Sequence, residues 1–201
     1  MEKLALQSLL WFVIFLFGLQ PAAFCQLEDL PPEEDTSPTT RVKIGDATSV
    51  PGETFTVPVY VTPGINVQVG SVKFDVNFIS ENLKFVRLDR GIVVELGNLE
   101  LKTDVKTGKN DKDVETTTLT ISASLPNAET ATEGIARGIL GFLILHVSEQ
   151  GRPAAITLRL TGGATELKSK KPIQDFKAFN ATIEVFAPGD RPVVSCFFFT
   201  H

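Results

Sequence analysis

Few residues in this sequence have side chains suited to acid–base or nucleophilic chemistry. The chain has two histidines, His146 and His201, and two cysteines, Cys25 and Cys196. Catalysis needs groups of suitable pKa within hydrogen-bonding reach of one another. His146 lies in an apolar run, where a histidine is more often structural, and no activating base accompanies Cys196. The nucleophile elbow, the His-Glu-x-x-His pair, the phosphate loop and the dinucleotide fingerprint are all missing. The sequence therefore predicts a protein that is not an enzyme and carries no cofactor.

The polar segment Lys102–Glu115 contains the one stretch that suggests a metal site. Asp111 and Asp113 have the spacing with which a calcium loop begins, but such a loop needs glycine at its sixth position and glutamate at its twelfth. Thr116 and Ser122 occupy those positions. We therefore expect a solvated hairpin loop and no metal site.

The overall composition is that of one globular domain with additional segments. Of the 201 residues, 43% are hydrophobic and 21% are charged, and the formal net charge is −5. This mildly acidic balance gives no basis for nucleic-acid binding, which calls for clustered Lys and Arg.

The N-terminal residues 1–25 have the pattern of a secretory signal peptide. Lys3 precedes the apolar run Leu4–Leu19, and small residues at Ala23 and Cys25 suit cleavage after Cys25. An uncleaved membrane anchor and lipid attachment at Cys25 are the alternatives. Export predicts an extracellular or periplasmic protein with no membrane span after cleavage. Cleavage after Cys25 would also leave Cys196 alone, without a partner for an internal disulfide.

Composition divides the remaining chain into three parts. Residues 26–40 are rich in Pro, Glu, Asp and Thr and predict a flexible acidic linker. Residues 41–187 predict the folded domain, and residues 188–201 a short apolar tail. The stretch Val193–His201 is too short to span a bilayer. Whether it packs on the domain, contacts a partner or is merely an irregular end stays open.

Apolar residues alternate with polar ones through much of the domain, with Gly and Pro between the runs. A period of two places the apolar side chains on one face of a strand, and that face must be covered. Pro58 suggests a sheet edge, or an N–H position facing solvent. The run Gly138–Val147 is apolar on both faces and suits a central strand covered on both sides. We predict an all-β sandwich of eight or nine antiparallel strands: Arg41–Asp46, Thr54–Val61, Val67–Phe78, Leu83–Asp89, the shorter candidate Gly91–Leu96, Thr116–Ser124, Gly138–Val147, Ile156–Leu160 and Ile183–Val185.

Aromatic residues give little support for a carbohydrate-binding strip. The only tryptophan, Trp11, lies in the predicted signal peptide, and the only tyrosine, Tyr60, lies on the outward side of its strand. Most phenylalanines occupy inward positions, which indicates core packing. A looser glycan site in the loops stays open.

The order of motifs across the domain resembles the cohesin domain of bacterial cellulosome scaffolds. The matching stretches are Val42–Ile44, Pro51–Val59, Gly64–Ile65, Val72–Phe78, Leu83–Val86, Gly134–Ile135 and Gly141–Leu145. The resemblance implies a nine-stranded jelly-roll sandwich that docks a calcium-loaded dockerin on one sheet face.

The resemblance also implies where a partner would bind. Family contacts come partly from the outward side of the third strand, and the matching positions here are Ser71, Lys73, Asp75 and Asn77. We therefore expect a secreted, non-catalytic module that binds a dockerin-like protein in a setting of polysaccharide degradation. A carbohydrate-binding module that takes polysaccharide and a structural cell-envelope protein are the alternatives.

Overall fold

A computed structural model describes residues 37–190. This part of the chain forms eleven strands and one short helix. In chain order they are β1 (Thr40–Ile44), β2 (Ala47–Ser49), β3 (Thr54–Thr62), β4 (Val69–Ile79), β5 (Leu83–Arg90), α1 (Ile92–Leu96), β6 (Glu100–Lys109), β7 (Glu115–Ser124), β8 (Gly138–Val147), β9 (Ala154–Glu166), β10 (Phe176–Phe179) and β11 (Ala181–Val185).

The strands form two sheets that pack face to face. The five-stranded sheet has the order β10-β1-β3-β8-β5, and the six-stranded sheet has the order β2-β11-β9-β4-β7-β6. The predicted all-β jelly-roll sandwich is confirmed. Three strands were missed, β2, β6 and β10. β2 and β10 have three and four residues, which are too few to display a period of two. Each of them pairs in parallel, β2 with β11 and β10 with β1, so the sheets are mixed and not purely antiparallel.

The core lies between the sheets and is built by the predicted alternation. Val57, Val59 and Val61 of β3 are fully buried, and so are the inward residues of β4, Val72, Phe74, Val76 and Phe78, to within 3% exposure. Branched side chains suit this pleated surface because their restricted rotamers pack well against neighbouring strands.

The segment Gly91–Leu96, predicted as a short strand, instead contains helix α1. Its β-branched residues favour a strand, but here the chain crosses from β5 in one sheet to β6 in the other. A strand would point Val93 and Val94 to opposite sides, whereas one helical turn buries both. The turn starts at Gly91, where an added Cβ would lie 2.3 Å from the carbonyl oxygen of Ile139.

The polar segment Lys102–Glu115, predicted as a hairpin loop, is mostly strand. β6 runs to Lys109 and pairs with β7 along its whole length, and only residues 110–114 form the turn. β6 is an edge strand whose residues are nearly all exposed, so its sequence lacks the apolar alternation that identifies a half-buried strand. Its lysines discourage pairing with another strand.

Pro58 does not mark a sheet edge, because β3 lies between β1 and β8. The carbonyl of Pro58 accepts a hydrogen bond from the Gly45 amide at 2.9 Å, one residue beyond the end of β1. Proline has no N–H with which to return this bond to Gly45, so the ladder between β1 and β3 ends here, at the last residue pair of β1.

β8 is central in its sheet, as predicted, but a second sheet covers only its inner face. Its outward residue Ile144 is nevertheless only 5% exposed and lies between Thr56 and Arg87 on the adjacent strands. Apolar character on both faces thus reflects cover by neighbouring side chains.

The predicted signal peptide, most of the linker and most of the tail lie outside the described residues. The end of the linker is part of the fold, since Thr39 is buried and its hydroxyl donates to Asp175 Oδ2 at 2.9 Å. Within residues 37–190, no helix is long and apolar enough to cross a bilayer.

Candidate functional site

The four residues predicted to bind a partner lie on the outer face of β4, next to one another at every second position. β4 lies inside the six-stranded sheet, between β9 and β7. Lys73 is exposed, and Ser71, Asp75 and Asn77 are half-buried. The strand thus presents all four on one accessible surface. Whether they bind a partner stays a prediction.

The outer face of β4, β6, β7 and β9 forms one polar surface, which we call the hydroxyl face. Because the three strand pairings are antiparallel, their outward residues form rows that cross the four strands. β7 contributes a serine or threonine to each row, and the charges on the other strands change sign from row to row. In the order β6, β7, β4, β9, the rows are Glu100, Ser124, Ser71 and Thr165; Lys102, Ser122, Lys73 and Gly163; Asp104, Thr120, Asp75 and Thr161; and Lys106, Thr118, Asn77 and Arg159.

Hydrogen bonds between strands fix the polar side chains at the centre of the hydroxyl face. Thr118 donates to Asn77 Oδ1 at 2.7 Å, and Thr120 donates to Asp75 Oδ1 at 2.6 Å. On the same face, between β4 and β9, the hydroxyls of Ser71 and Thr165 are 2.7 Å apart. These contacts hold the acceptor side chains of Asn77 and Asp75 in place.

The lysines of the hydroxyl face differ in their ionic contacts. Lys102 pairs with Glu100 at 2.8 Å, and Lys106 pairs with Asp104 at 3.6 Å, both along the exposed strand β6. Among residues 37–190, the side chain of Lys73 makes no hydrogen bond or ion pair. Its ammonium group is therefore the cation at the centre of this face that is available to an incoming anion.

No aromatic ring lies in the four rows of the hydroxyl face. The outward rings of the five-stranded sheet include Tyr60 and Phe142, which are both half-buried, and Phe179, which is 43% exposed. Burial raises the pKa of Tyr60 above its ordinary value. Glycan-binding strips need a row of flat rings that stand clear of the surface, and of these three rings Phe179 alone is exposed.

Of the residues considered for chemistry, His146 and Asp113 contact neighbouring side chains of the fold. His146 Nδ1 lies 3.0 Å from the Thr54 hydroxyl on the adjacent strand. Asp113 pairs with Lys109 at 2.8 Å in the β6–β7 turn, where the Asn110 side chain accepts two backbone N–H groups. No group of three or more His, Cys, Asp or Glu side chains within residues 37–190 is placed to hold a metal ion.

Sequence reasoning missed most of the hydroxyl face. The alternation of Thr118, Thr120 and Ser122 with apolar residues identified an outward side of β7, but not that this side continues the outward side of β4. The charges of β6 were assigned to a loop. The glycine pair at 162–163 was overlooked, although adjacent glycines within an alternating strand signal a close approach to the backbone.

The strand order and the face-to-face sheets define a class of protein: the described domain has the cohesin fold. Solved structures that match it include a type I cohesin–dockerin complex from Clostridium thermocellum, at 18% identity and a TM-score of 0.57 over 74% of this chain and 99% of that one. A non-cellulosomal cohesin from the archaeon Archaeoglobus fulgidus matches at 16% identity and a TM-score of 0.56, over 76% of this chain and 94% of that one.

A third match extends over more of the chain. The seventh ScaB type I cohesin from Pseudobacteroides cellulosolvens has 15% identity and a TM-score of 0.56, over 80% of this chain and 99% of that one. No protein-family model matches the chain, and a search of curated proteins found no match. The similarity therefore concerns the fold.

Proposed function

We propose that this protein is a non-catalytic docking module whose hydroxyl face binds a partner protein of dockerin type. The observation that carries the proposal is the hydroxyl face itself, a polar surface of four hydrogen-bonded strands with charges of alternating sign. The Clostridium thermocellum structure of the same fold is a complex with a dockerin. Flat surfaces that mix charge and hydroxyl groups suit protein recognition, where electrostatic complementarity sets the register of the partner.

The dimensions of the hydroxyl face suit a helical partner. Rows two residues apart on a strand are separated by about 7 Å, and four strands span about 14 Å. A helix is about 10–12 Å wide, and its residues i and i+4 are about 6 Å apart along the axis. One helix lying along β4 can therefore present a side chain to each row in turn.

The setting of the proposed function is extracellular or periplasmic, in polysaccharide degradation. The signal-peptide pattern of residues 1–25 supports export. Non-catalytic action is supported by His146, whose ring contacts a threonine hydroxyl and, within residues 37–190, makes no hydrogen bond to a carboxylate.

Isothermal titration of the full chain with the Clostridium thermocellum dockerin, with and without calcium, tests the proposal. We expect calcium-dependent binding with a Kd on the order of 1 µM or tighter. Ser122→Arg places a long side chain at the centre of the hydroxyl face and should abolish binding. The matched control is Thr56→Arg on the exposed face of the five-stranded sheet, which should leave binding unchanged.

Other results would replace the proposal. Binding that survives Ser122→Arg but is lost in Thr56→Arg would move the docking surface to the other sheet. The chain should also be titrated with soluble glucan and xylan oligosaccharides. Binding to these oligosaccharides without binding to the dockerin would favour a carbohydrate-binding module.

A further inference from the structure

A groove of about 370 Å³ crosses the hydroxyl face above β9 and β4. It exists because β9 has two glycines where the neighbouring positions carry side chains. Pro172, which bridges to Thr165, borders the groove on the side away from β4. The outward residues that line it are Ser71, Lys73, Asp75, Gly163 and Thr165.

The two glycines differ in what the fold requires of them. A Cβ on Gly162 would lie 2.4 Å from the carbonyl oxygen of Lys73 and 2.5 Å from Phe74 Cβ, so packing against β4 demands glycine there. A Cβ on Gly163 would meet no atom within 4 Å, and its φ lies outside the left-handed region. Packing and backbone conformation therefore leave Gly163 unexplained. Glycine inside a strand often marks a place where another molecule approaches the backbone closely.

Two kinds of hydrogen-bond donor lie beside this gap, an ammonium group and a hydroxyl group. Lys73 lies directly across from Gly163 in the strand pairing, and its ammonium group has no partner among residues 37–190. Ser71 and Thr165 share one hydrogen bond, which uses one of their two hydroxyl protons and leaves the other free to donate. An ammonium and a hydroxyl proton together suit a carboxylate.

The next row limits how much negative charge the groove accepts. Asp75 also lines the groove, and its carboxylate accepts a hydrogen bond from Thr120 on the side away from β9. Asp75 repels each negative charge on a ligand, and among the residues that line the groove Lys73 is the one cation that can balance it, so a second negative charge would be uncompensated. The groove therefore favours a single carboxylate over a phosphate group or another polyanion.

We propose that the gap at Gly163 receives an aspartate or glutamate side chain of the partner, which forms an ion pair with Lys73. This inference rests on the proposed function, since it identifies one contact within the docking surface. It also explains why position 163 is a glycine: folding does not require glycine there, but binding uses the open space.

Isothermal titration of the full chain with the Clostridium thermocellum dockerin and calcium, repeated with variants, tests the inference. Gly163→Val fills the groove and should weaken binding by on the order of tenfold or more. Gly108→Val is the matched control, because Gly108 is also in a strand of this sheet and its Cβ would also meet nothing within 4 Å. It should leave the Kd unchanged. Thermal unfolding should show neither valine variant to be less stable than the parent.

Charge reversal identifies the ligand group. Lys73→Glu should weaken binding, whereas Lys84→Glu, at an exposed lysine on the other sheet, should not. A dockerin in which the contacting acid is replaced by lysine should restore binding to Lys73→Glu. Restoration by this swap is the result that a merely structural role for Lys73 would not produce.

The outcomes separate the inference from the function on which it rests. If binding persists in Gly163→Val and Lys73→Glu but is lost in Ser122→Arg, the proposed role of the groove is refuted, whereas the hydroxyl face is still supported as the docking surface. If the parent chain binds no dockerin, the proposed function fails and the inference fails with it.

Discussion

Adjacent glycines in β9 should respond in opposite ways to the same substitution. In Gly163→Ala the new methyl group meets no atom within 4 Å, and the variant should gain about 0.5–1 kcal/mol because alanine loses less conformational entropy on folding. In Gly162→Ala the methyl group would lie 2.4 Å from a backbone oxygen of β4 and 2.6 Å from Phe74 Cα. Overpacking of this kind costs about 1–3 kcal/mol. The two variants should therefore differ in stability by about 1.5–4 kcal/mol.

Urea unfolding of the full chain, followed by far-ultraviolet circular dichroism, measures this difference directly. Thermal unfolding should separate the two Tm values by at least about 3 °C, given about 2–4 °C per kcal/mol for a protein of this size. Gly108→Ala, at the other open strand position, should behave like Gly163→Ala. Equal destabilisation of both β9 variants would refute the described approach of β9 to β4, and with it the origin of the groove.

Three further predictions concern the core, the hydroxyl face and pH. Phe74→Ala removes a ring that is 1% exposed and should cost about 3–5 kcal/mol in urea unfolding; a cost below about 1 kcal/mol would contradict its burial. Thr120→Val keeps the branched shape but removes the hydrogen bond to Asp75, so the free energy of unfolding should fall by about 0.5–1.5 kcal/mol, and no change would mean that the contact does not form. Because burial raises the pKa of Tyr60 above 10.0, the folded state keeps the phenol proton at pH values where the unfolded chain has lost it, and stability should fall as the pH rises above 10.0. Absorbance titration isolates this group, since the sequence has one tyrosine, and a midpoint below 10.0 would contradict its burial.

The sequence by itself determined the sandwich and the outward side of β4. Period-two alternation fixes which side chains face the core, because successive residues of a strand point to opposite faces. Ser71, Lys73, Asp75 and Asn77 could therefore be assigned to one surface from their spacing alone. The same argument separated the threonines of β7 from its buried residues.

Only the tertiary structure decided which strands share that surface. Strand pairing joins residues far apart in sequence, such as Asp75 and Thr120, and no local pattern encodes the partner of a strand. β6 was not recognisable as a strand because an edge strand with both faces wet needs no apolar alternation. α1 is helical because the chain crosses there from one sheet to the other. This tertiary requirement outweighs the strand preference of its β-branched residues. The groove likewise depends on packing. The sequence shows two adjacent glycines, Gly162 and Gly163, with nothing to distinguish them. In the folded chain the close approach of β4 requires glycine at position 162, whereas position 163 is open.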